Sequence, residues 1–270
     1  MLYGVDSLDR ERILDGLGTR AVGRALHVYD EVGSTNDVAM GLADGGAPHG
    51  TAVVAERQRA GRGRLGRTWA SPAGLGLWVS VVLRPQVPAA AAPTVTLVSG
   101  VAVAEAIEAA ADVAVALKWP NDLLLDGRKV AGILAELRAT DQTVEHLVVG
   151  IGVNVHQALH EFPPELAGAA ISIRQATGRA ISRVLLLRHL FARLETWVDR
   201  FVGEGAAPVV AAAAARMPML GRPVVAVSGA DRWEGTAAGL DEDGALVLAL
   251  PDGRTRRVLA AEVTLRTNDQ

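Results

Sequence analysis

Residues 59–72 read Arg59-Ala60-Gly61-Arg62-Gly63-Arg64-Leu65-Gly66-Arg67-Thr68-Trp69-Ala70-Ser71-Pro72, a run that interleaves glycines with arginines. Glycine permits close backbone approach but loses much conformational entropy when it becomes ordered. Closely spaced arginines repel one another unless an anion lies among them. A solvated basic loop is the simpler alternative. The regular alternation nevertheless favours a loop that closes on phosphate or carboxylate through backbone N–H groups and guanidinium forks.

The same run contains a formal match to the dinucleotide-binding fingerprint, at Gly61, Gly63 and Gly66. That fingerprint requires a helix that opens at the third glycine and small residues between the glycines. Here the intervening residues are mostly arginine, and the chain continues into Thr-Trp-Ala-Ser-Pro, which is a poor helix start. We therefore reject a Rossmann fold.

The composition limits the classes of protein to consider. The chain has 270 residues, 50% of them hydrophobic, which allows one large and one small domain. The formal net charge is −3, so any nucleic acid would have to be bound by the arginine cluster alone. The absence of cysteine excludes disulfides, thiolate nucleophiles and Cys-ligated zinc, and agrees with a reducing cytoplasm.

We expect no membrane association. The N-terminal residues lack the basic and then apolar pattern of a signal peptide. The apolar run at 100–116 is interrupted by Glu105, Glu108 and Asp112, so it does not resemble a membrane-spanning segment.

Hydrophobic periodicity and turn signals predict the secondary structure. The predicted helices are 7–17 with Ser7 as N-cap, 34–43 with Ser34 and Asp37 as a capping box, 93–111, 181–202 and 208–217. The predicted strands are 25–30, 51–58, 75–83 and 144–155. Asp126-Gly127 between two apolar runs predicts a hairpin, with Asp122 and Lys129 near opposite ends of the paired strands.

The pattern changes near residue 221. Short β runs at 224–227, 233–240, 245–250 and 254–259 alternate with Gly/Asp turns. This spacing is typical of a small barrel of about five strands. We expect a domain at 1–218 followed by a barrel domain at 219–270.

A second group of polar residues lies in Lys118-Trp119-Pro120-Asn121-Asp122, followed by Lys129 and Gly132. An ammonium group in apolar surroundings costs several kcal/mol unless it is paired. A structural pair of Lys118 with Asp122, or an exposed Lys129 after the turn, would explain either lysine alone. Both lysines together with an aspartate and an asparagine, beside an arginine-rich loop, favour a site for an anionic substrate.

These segments resemble the signature of biotin protein ligases, at 61–72, 118–122 and 129–136. Gly33-Ser34-Thr35-Asn36 and Gly150-Ile151-Gly152-Val153-Asn154 resemble two further family motifs, in the expected order. The likeness runs from about residue 25 to the C-terminus. It implies an α+β fold with a central mixed β-sheet flanked by helices, as in class II aminoacyl-tRNA synthetases and biotin–lipoate ligases, followed by an SH3-like barrel.

The resemblance implies a reaction in two steps. The biotin carboxylate attacks the α-phosphate of ATP and gives biotinyl-5′-AMP and pyrophosphate. A lysine on a biotin carboxyl carrier domain of an acyl-CoA carboxylase then accepts the biotinyl group as an amide. Mg²⁺ is expected with ATP, without an assignment of its protein ligands.

The resemblance also implies roles for individual residues. Lys129 would bridge the biotin carboxylate and the α-phosphate, with Arg64 and Arg67 closing over the phosphates. Asp122 would be the base or positioning group for the acceptor lysine. The residues expected to contact the ureido ring and valeryl chain are Ser34, Thr35, Gln58 and Arg62. Gly132 and the Gly150–Gly152 strand would admit the ligand closely, and Asn154 would contact ribose or purine. The other expected substrate-binding residues are Asn36, Gly61, Gly63, Trp69, Lys118, Asn121 and Ile133.

Two features depart from the family pattern. Only about two dozen residues precede the first predicted strand, too few for the helix-turn-helix domain of repressor members, so we expect no DNA binding. Ala169-Ala170 stand where some relatives place an aromatic residue on adenine, so nucleotide contacts are expected to differ.

Two alternative functions remain open at this point. A lipoate ligase shares the fold and the acyl-adenylate chemistry, and an adenylation assay with both acids separates the two. A nucleic-acid-binding protein would show affinity that falls steeply with salt, and the negative net charge argues against it.

Overall fold

A mixed seven-stranded sheet forms the centre of the larger part of the chain. The computed structural model describes residues 6–140, 143–259 and 261–265. The sheet contains β1 (Leu26–Val32), β2 (Ala52–Gln58), β3 (Gly76–Leu83), β4 (Ala116–Lys118), β5 (Asp122–Leu125), β6 (Arg128–Ala139) and β7 (Val144–Asn154). The strand order is β1-β2-β3-β7-β6-β5-β4, with β1 and β2 parallel and the other pairs antiparallel. The predicted mixed sheet is confirmed.

Helices cover both faces of this sheet. They are α1 (Arg10–Leu14), α2 (Thr35–Asp44), α3 (Thr94–Ala111), α4 (Ile173–Thr177), α5 (Arg183–Glu204) and α6 (Ala207–Ala214). The long helices α3 and α5 pack together and share the main hydrophobic core with the sheet, whereas α2 packs on β2, β3 and β7. Every residue of β3 is buried, which explains why its sequence is a continuous apolar run.

From the sequence we judged that the apolar run at 100–116 does not resemble a membrane-spanning segment, and helix α3 corrects that judgement. The helical segment Ala89–Ala111 has a mean hydropathy of 1.6 and is long and apolar enough to cross a membrane. Within the fold, 72% of this apolar window is buried. Glu105 and Glu108 pair with Arg216, so the charges lie along one side of the helix. A core helix that is surrounded by protein has the same composition as a membrane span.

The C-terminal strands form a separate antiparallel sheet of five strands. They are β8 (Pro223–Ser228), β9 (Asp231–Leu240), β10 (Leu246–Ala249), β11 (Thr255–Val258) and β12 (Glu262–Leu265), in the order β11-β10-β9-β8-β12. The SH3-like barrel is confirmed. Strand β12 was not among the predicted runs, because four residues are too few for a period to show.

Local turn chemistry was predicted better than helix caps. Asp126 and Gly127 have φ angles of 50° and 73°, as a two-residue hairpin turn between β5 and β6 requires. The N-cap of α1 is Asp9, whose side chain accepts the N–H of Arg12, so the prediction of Ser7 was wrong. The predicted capping box of α2 was also wrong, because Ser34 makes no side-chain capping hydrogen bond.

Glu195 on α5 holds the segment that precedes β1. Its carboxylate accepts the backbone N–H groups of Arg20 and Ala21, each at 2.8 Å, and of Val22 at 3.0 Å. Burial raises the pKa of this carboxyl group, but the three hydrogen bonds and the charge of Arg20 outweigh burial and lower the pKa below its ordinary range. A carboxyl group with a lowered pKa in the folded state stabilises the protein above its unfolded pKa. That stabilisation is lost as the pH falls through the folded pKa.

We expect Glu195→Gln to lower the free energy of unfolding by about 1–2 kcal/mol at neutral pH, because a charged acceptor of three N–H groups becomes neutral. The difference from the unmodified protein should shrink as the pH falls from the ordinary pKa of a glutamate through the lowered pKa of folded Glu195. Urea unfolding across this range measures it. Glu204→Gln, which removes an exposed i,i+4 pair with Arg200 on the same helix, should change stability by less than about 0.5 kcal/mol. A difference that does not depend on pH would contradict this assignment.

Candidate active site

The predicted site residues converge on one cleft of about 420 Å³. The predicted residues that line it are Ser34, Thr35, Asn36, Gln58, Arg62, Gly63, Arg64, Arg67, Trp69, Lys118, Asn121, Asp122, Lys129, Gly132, Ile133, Gly150, Gly152 and Asn154. Gly61 lies buried behind the wall, where a Cβ atom would come within 3.0 Å of the Trp69 carbonyl oxygen and the Ser71 hydroxyl. Gly61 therefore allows the loop to fold onto itself.

Lys129 and Asp122 form an ion pair on neighbouring strands. The Nζ of Lys129 lies 2.6 Å from Oδ1 of Asp122 and 5.2 Å from the centre of the Trp69 ring. Oδ1 of Asp122 is buried, and the ion pair with Lys129 is its contact to the rest of the site. The ammonium carries three N–H groups, so Lys129 can donate to a ligand while it stays paired with Asp122. The alternative pair of Lys118 with Asp122 is not formed. Among the described residues, Lys118 takes part in no ion pair.

Arg62 fastens the loop to two elements of the domain. Its Nη2 lies 2.8 Å from Oδ1 of Asp37 on α2 and 2.8 Å from Oε2 of Glu136 on β6. The same Glu136 oxygen accepts the amide of Asn36 at 2.7 Å. The predicted contact of the Arg62 guanidinium with the ureido ring would require it to leave these carboxylates.

Arg64 points into the cleft, and Arg67 reaches the barrel. Nη1 of Arg64 donates to Oδ1 of Asn121 at 2.9 Å. Burial lowers the pKa of Arg64, and the nearby carboxylates of Asp122 and Glu262 oppose this effect. Arg67 forms an ion pair with Glu262 on β12. The barrel thus contributes to the wall beside the loop, which the sequence did not predict.

Three glycines of the wall make room for side chains of the protein. A Cβ atom at Gly132 or Gly152 would come within 3.0 Å of the Trp69 ring, and one at Gly150 would come equally close to the Asn36 amide. We expected a ligand to lie close to these glycines, but in this structure the side chains of Trp69 and Asn36 occupy that space. A direct ligand contact at these glycines stays a prediction.

The end of the cleft at α2 is a fixed polar cluster. Oε1 of Gln58 accepts from Thr35 N at 2.8 Å and from its hydroxyl at 3.0 Å, and Nε2 of Gln58 donates to Ser71 Oγ at 2.8 Å. Ser80 Oγ donates to Asn36 Oδ1 at 2.6 Å. These bonds hold the donors and acceptors of this end in one orientation, as specific recognition of a small polar ring requires.

Asn154 is more fully engaged than the sequence suggested. Its Nδ2 donates to the carbonyl groups of Lys129 at 3.4 Å and Ile171 at 3.3 Å, and its Oδ1 accepts from Gln157 at 3.2 Å. The predicted contact with ribose or purine therefore has to compete with internal bonds. Gln157, which is 2% exposed, also lines the cleft, and no motif identified it.

Unsatisfied polar atoms concentrate in this cleft. Buried polar side-chain atoms normally find a partner. Among the described residues, four such atoms lack a hydrogen bond, and three of these belong to the cleft residues Trp69, Asp122 and Gln157, of which Asp122 has its ion pair with Lys129 instead. The fourth is Nε of Arg216. With two lysines and three loop arginines in the same wall, the cleft suits a polar, negatively charged ligand.

Comparisons with known proteins agree with this geometry. Residues 30–154 match the biotin/lipoate A/B protein ligase family, and residues 219–266 match the biotin protein ligase C-terminal domain. The biotin–[acetyl-CoA-carboxylase] ligase of Mycobacterium tuberculosis is 37% identical over 267 residues, which cover 95% of each chain. The chain belongs to the biotin protein ligase family.

Solved biotin protein ligases have the same fold. The Aquifex aeolicus enzyme in complex with biotin and ATP has a TM-score of 0.77 and 32% identity, and the match covers 90% of this chain and 99% of that one. The Leishmania major enzyme in complex with biotinyl-5-AMP has a TM-score of 0.59 and 27% identity, with 87% and 98% covered. The roles of single residues in this family member rest on the geometry given above.

Gly150 offers a test of the polar cluster in this biotin protein ligase. A methyl group there would displace the Asn36 amide and break its hydrogen bond with Ser80. We expect Gly150→Ala to lower the free energy of unfolding by about 1–3 kcal/mol and to weaken biotin binding about tenfold, or 1.4 kcal/mol. Calorimetry and thermal unfolding measure both.

The matched control lies on α2 itself. A Cβ atom at Gly41 meets no atom within 4 Å, so Gly41→Ala should be neutral or slightly stabilising and should leave biotin affinity unchanged. Normal biotin affinity in Gly150→Ala would show that the Asn36 position does not matter for binding.

Proposed function

We propose that this chain is a biotin–[biotin carboxyl carrier protein] ligase, which activates biotin with ATP and transfers it to a lysine of a carboxylase carrier domain. The observation that carries the proposal is the convergence of the sequence motifs on one cleft, where Lys129 pairs with Asp122 and Arg64 donates to the neighbouring Asn121. The family relationship and the relatives solved with biotin, ATP and biotinyl-5-AMP support the same reaction.

The first step brings two anions together. A carboxylate oxygen of biotin attacks the α-phosphorus of ATP, the bond from this phosphorus to the bridging oxygen breaks, and pyrophosphate leaves. Repulsion between the carboxylate and the phosphate opposes the attack, and fixed cations offset it. We assign this role to Lys129, with Arg64 and Arg67 on the phosphates.

The second step needs a neutral amine. The acceptor lysine loses a proton, its nitrogen attacks the biotinyl carbonyl carbon, and AMP leaves as the amide forms. Asp122 is our candidate to accept or orient that proton, because its carboxylate lies in the cleft wall beside Lys129. Ser34, Thr35 and Gln58 hold the ureido end, where the fixed polar cluster lies.

Mg²⁺ is proposed as the partner of ATP. The described residues contain no group of three or more His, Asp or Glu side chains that could hold a metal. Mg²⁺ at nucleotide sites is commonly bound by one or two carboxylates together with phosphates and water. The carboxylates that line the cleft, Asp122, Glu161 and Glu262, therefore fit a cation that would arrive with the nucleotide and neutralise phosphate charge, without an assignment of its protein ligands.

The remaining assignments are also proposals. We divide the chain into a catalytic domain at 1–218 and a barrel domain at 219–270, since β8 begins at Pro223. We place the reaction in the cytoplasm, because a chain without cysteine suits a reducing compartment. The proposed partners are biotin, ATP and the carrier domain, without DNA or membrane.

Transfer to a carrier domain tests the function directly. The chain is incubated with ATP, Mg²⁺, a carrier domain and either biotin or lipoate, and the mass of the carrier is measured. We expect a mass increase by one biotinyl group that depends on ATP, and none with lipoate. Modification by lipoate alone would support the alternative ligase, and no modification with either acid would refute the proposal.

A further inference from the structure

The turn between β9 and β10 of the barrel is seated against the first domain. The carbonyl of Asp243 accepts from Thr94 Oγ1 at 2.9 Å, and that of Gly244 accepts from Trp119 Nε1 at 3.0 Å. Gly244 has a φ angle of 85°, and a Cβ atom there would overlap with Leu97 of α3. The turn therefore has little room to shift against the first domain.

The turn is also held from within. The carboxylate of Asp241 accepts the N–H groups of Asp243 at 3.0 Å and Ala245 at 2.8 Å. Arg257 of β11 forms ion pairs with Asp241 and Asp243. These contacts hold the turn in one conformation, so the Gly244 carbonyl is fixed in the position where it accepts the Trp119 N–H.

Trp119 connects this support to the cleft. Its side chain is 2% exposed, and it lies in the short link between β4 and β5 that leads to Asn121 and Asp122. Because water cannot reach the indole N–H, loss of the Gly244 carbonyl would leave a buried donor unsatisfied. The position of the link therefore depends on the barrel.

Asn121 connects the link between β4 and β5 to Arg64 of the arginine-rich loop. The side-chain Nδ2 of Asn121 donates to the backbone carbonyl of Ile133 at 3.0 Å, and the backbone carbonyl of Asn121 accepts the Ile133 N–H at 3.0 Å. With the amide fixed in this way, Oδ1 of Asn121 faces the cleft and accepts Nη1 of Arg64 at 2.9 Å. Arg64 is half-buried, and this bond orients its guanidinium.

We propose that Trp119 is a positioning residue through which the barrel holds Asn121, and thereby Arg64, where Arg64 meets the phosphates of ATP. The inference rests on the proposed function. It concerns the nucleotide only, because the barrel turn bonds to Thr94 and Trp119, whereas Thr35 and Gln58 lie on α2 and β2. Loss of this support raises the KM for ATP and leaves the KM for biotin unchanged.

Trp119→Phe tests the link, because it keeps an aromatic ring and removes the N–H. Initial rates of pyrophosphate release give both KM values, and calorimetry gives the Kd of a non-hydrolysable ATP analogue. We expect the KM for ATP and this Kd to rise about three- to tenfold, with the KM for biotin unchanged. In a protein that already carries Asn121→Ala, Trp119→Phe should cause no further rise, because the effect passes through Asn121.

Thr94→Val is the matched control. It removes a hydrogen bond of similar length to the same barrel turn, at a residue that is 1% exposed and outside the cleft wall. It should lower the melting temperature without changing the KM for ATP. An equal rise of this KM in both variants would mean that the bonds only dock the barrel, and would overturn the proposal. An effect of Trp119→Phe that persists in Asn121→Ala would also overturn it.

A second variant keeps the test valid if Trp119→Phe does not fold. Asp241→Ala removes the acceptor of the Asp243 and Ala245 N–H groups on either side of Gly244, so the Gly244 carbonyl loses its support and the KM for ATP alone should rise. An unchanged value would overturn the proposal. The same assays distinguish a wrong function from a wrong role of Trp119. If the proposed function is wrong, the unmodified protein releases no pyrophosphate in response to biotin.

Discussion

Replacing Lys129 with alanine is expected to lower the rate of biotin-dependent pyrophosphate release by about two to three orders of magnitude. Lys129 is the cation proposed to lie between the two reacting anions, and loss of one such fixed donor costs about a hundred- to a thousandfold in rate. The fold should survive, because the backbone of Lys129 is held by main-chain bonds to Ala169 at 2.8 Å and Ile171 at 2.9 Å. Pyrophosphate release and thermal unfolding are measured together.

Arg128→Ala is the control for this substitution. Arg128 precedes Lys129 on β6 and carries the same charge, but it does not line the cleft, and side chains alternate between the faces of a strand. Its removal should leave the rate within about twofold. A folded Lys129→Ala protein with a near-normal rate would refute the assigned role. An unfolded one would show that the pair with Asp122 is structural.

The sequence predicted those parts of the fold that depend on local chemistry. The hairpin at Asp126-Gly127 follows from the demand of its turn for positive φ, and the long helices follow from apolar periodicity. The order of the strands was not predictable in this way. Strand β7 pairs with β3 and β6, and the pairing with β3 joins segments that are distant in sequence. That pairing depends on how the whole hydrophobic core packs, which no local pattern reveals.

The same distinction applies to the site. Lys129, Asp122 and Asn121, which line the cleft, were predicted because they lie in compact motifs. The contact of Arg67 with Glu262 was not, because it joins the loop to the last strand of another domain. Gln157 has no neighbouring pattern at all, and its role in the wall depends on the path of the chain after β7.

The loop at 61–67 should be cleaved rapidly by trypsin without ligand and much more slowly with biotin plus ATP. Its tip is open to solvent: Leu65 is 74% exposed and adopts a φ angle of 57°, which is strained for leucine. Arg64 and Arg67 are held by one neighbouring side chain each, Asn121 and Glu262, which a mobile loop can release. Repulsion among the arginines favours release until the phosphate of biotinyl-5′-AMP supplies the balancing charge.

Fragments cut after Arg62, Arg64 and Arg67 are quantified by mass spectrometry with no ligand, biotin, ATP, or both. Where the loop opens and closes fast relative to cleavage, the cleavage rate is proportional to the population of the open loop. A tenfold slower cleavage then means that the ligands stabilise the closed loop by about 1.4 kcal/mol. ATP alone should protect less than both together, if contacts to biotin do most of the ordering. Cleavage after Arg254, whose side chain is 78% exposed in a barrel turn, provides an internal reference that ligands should not change. Equal rates at the loop with and without both substrates would mean that its arginines are already fixed, and that ligand binding does not order it.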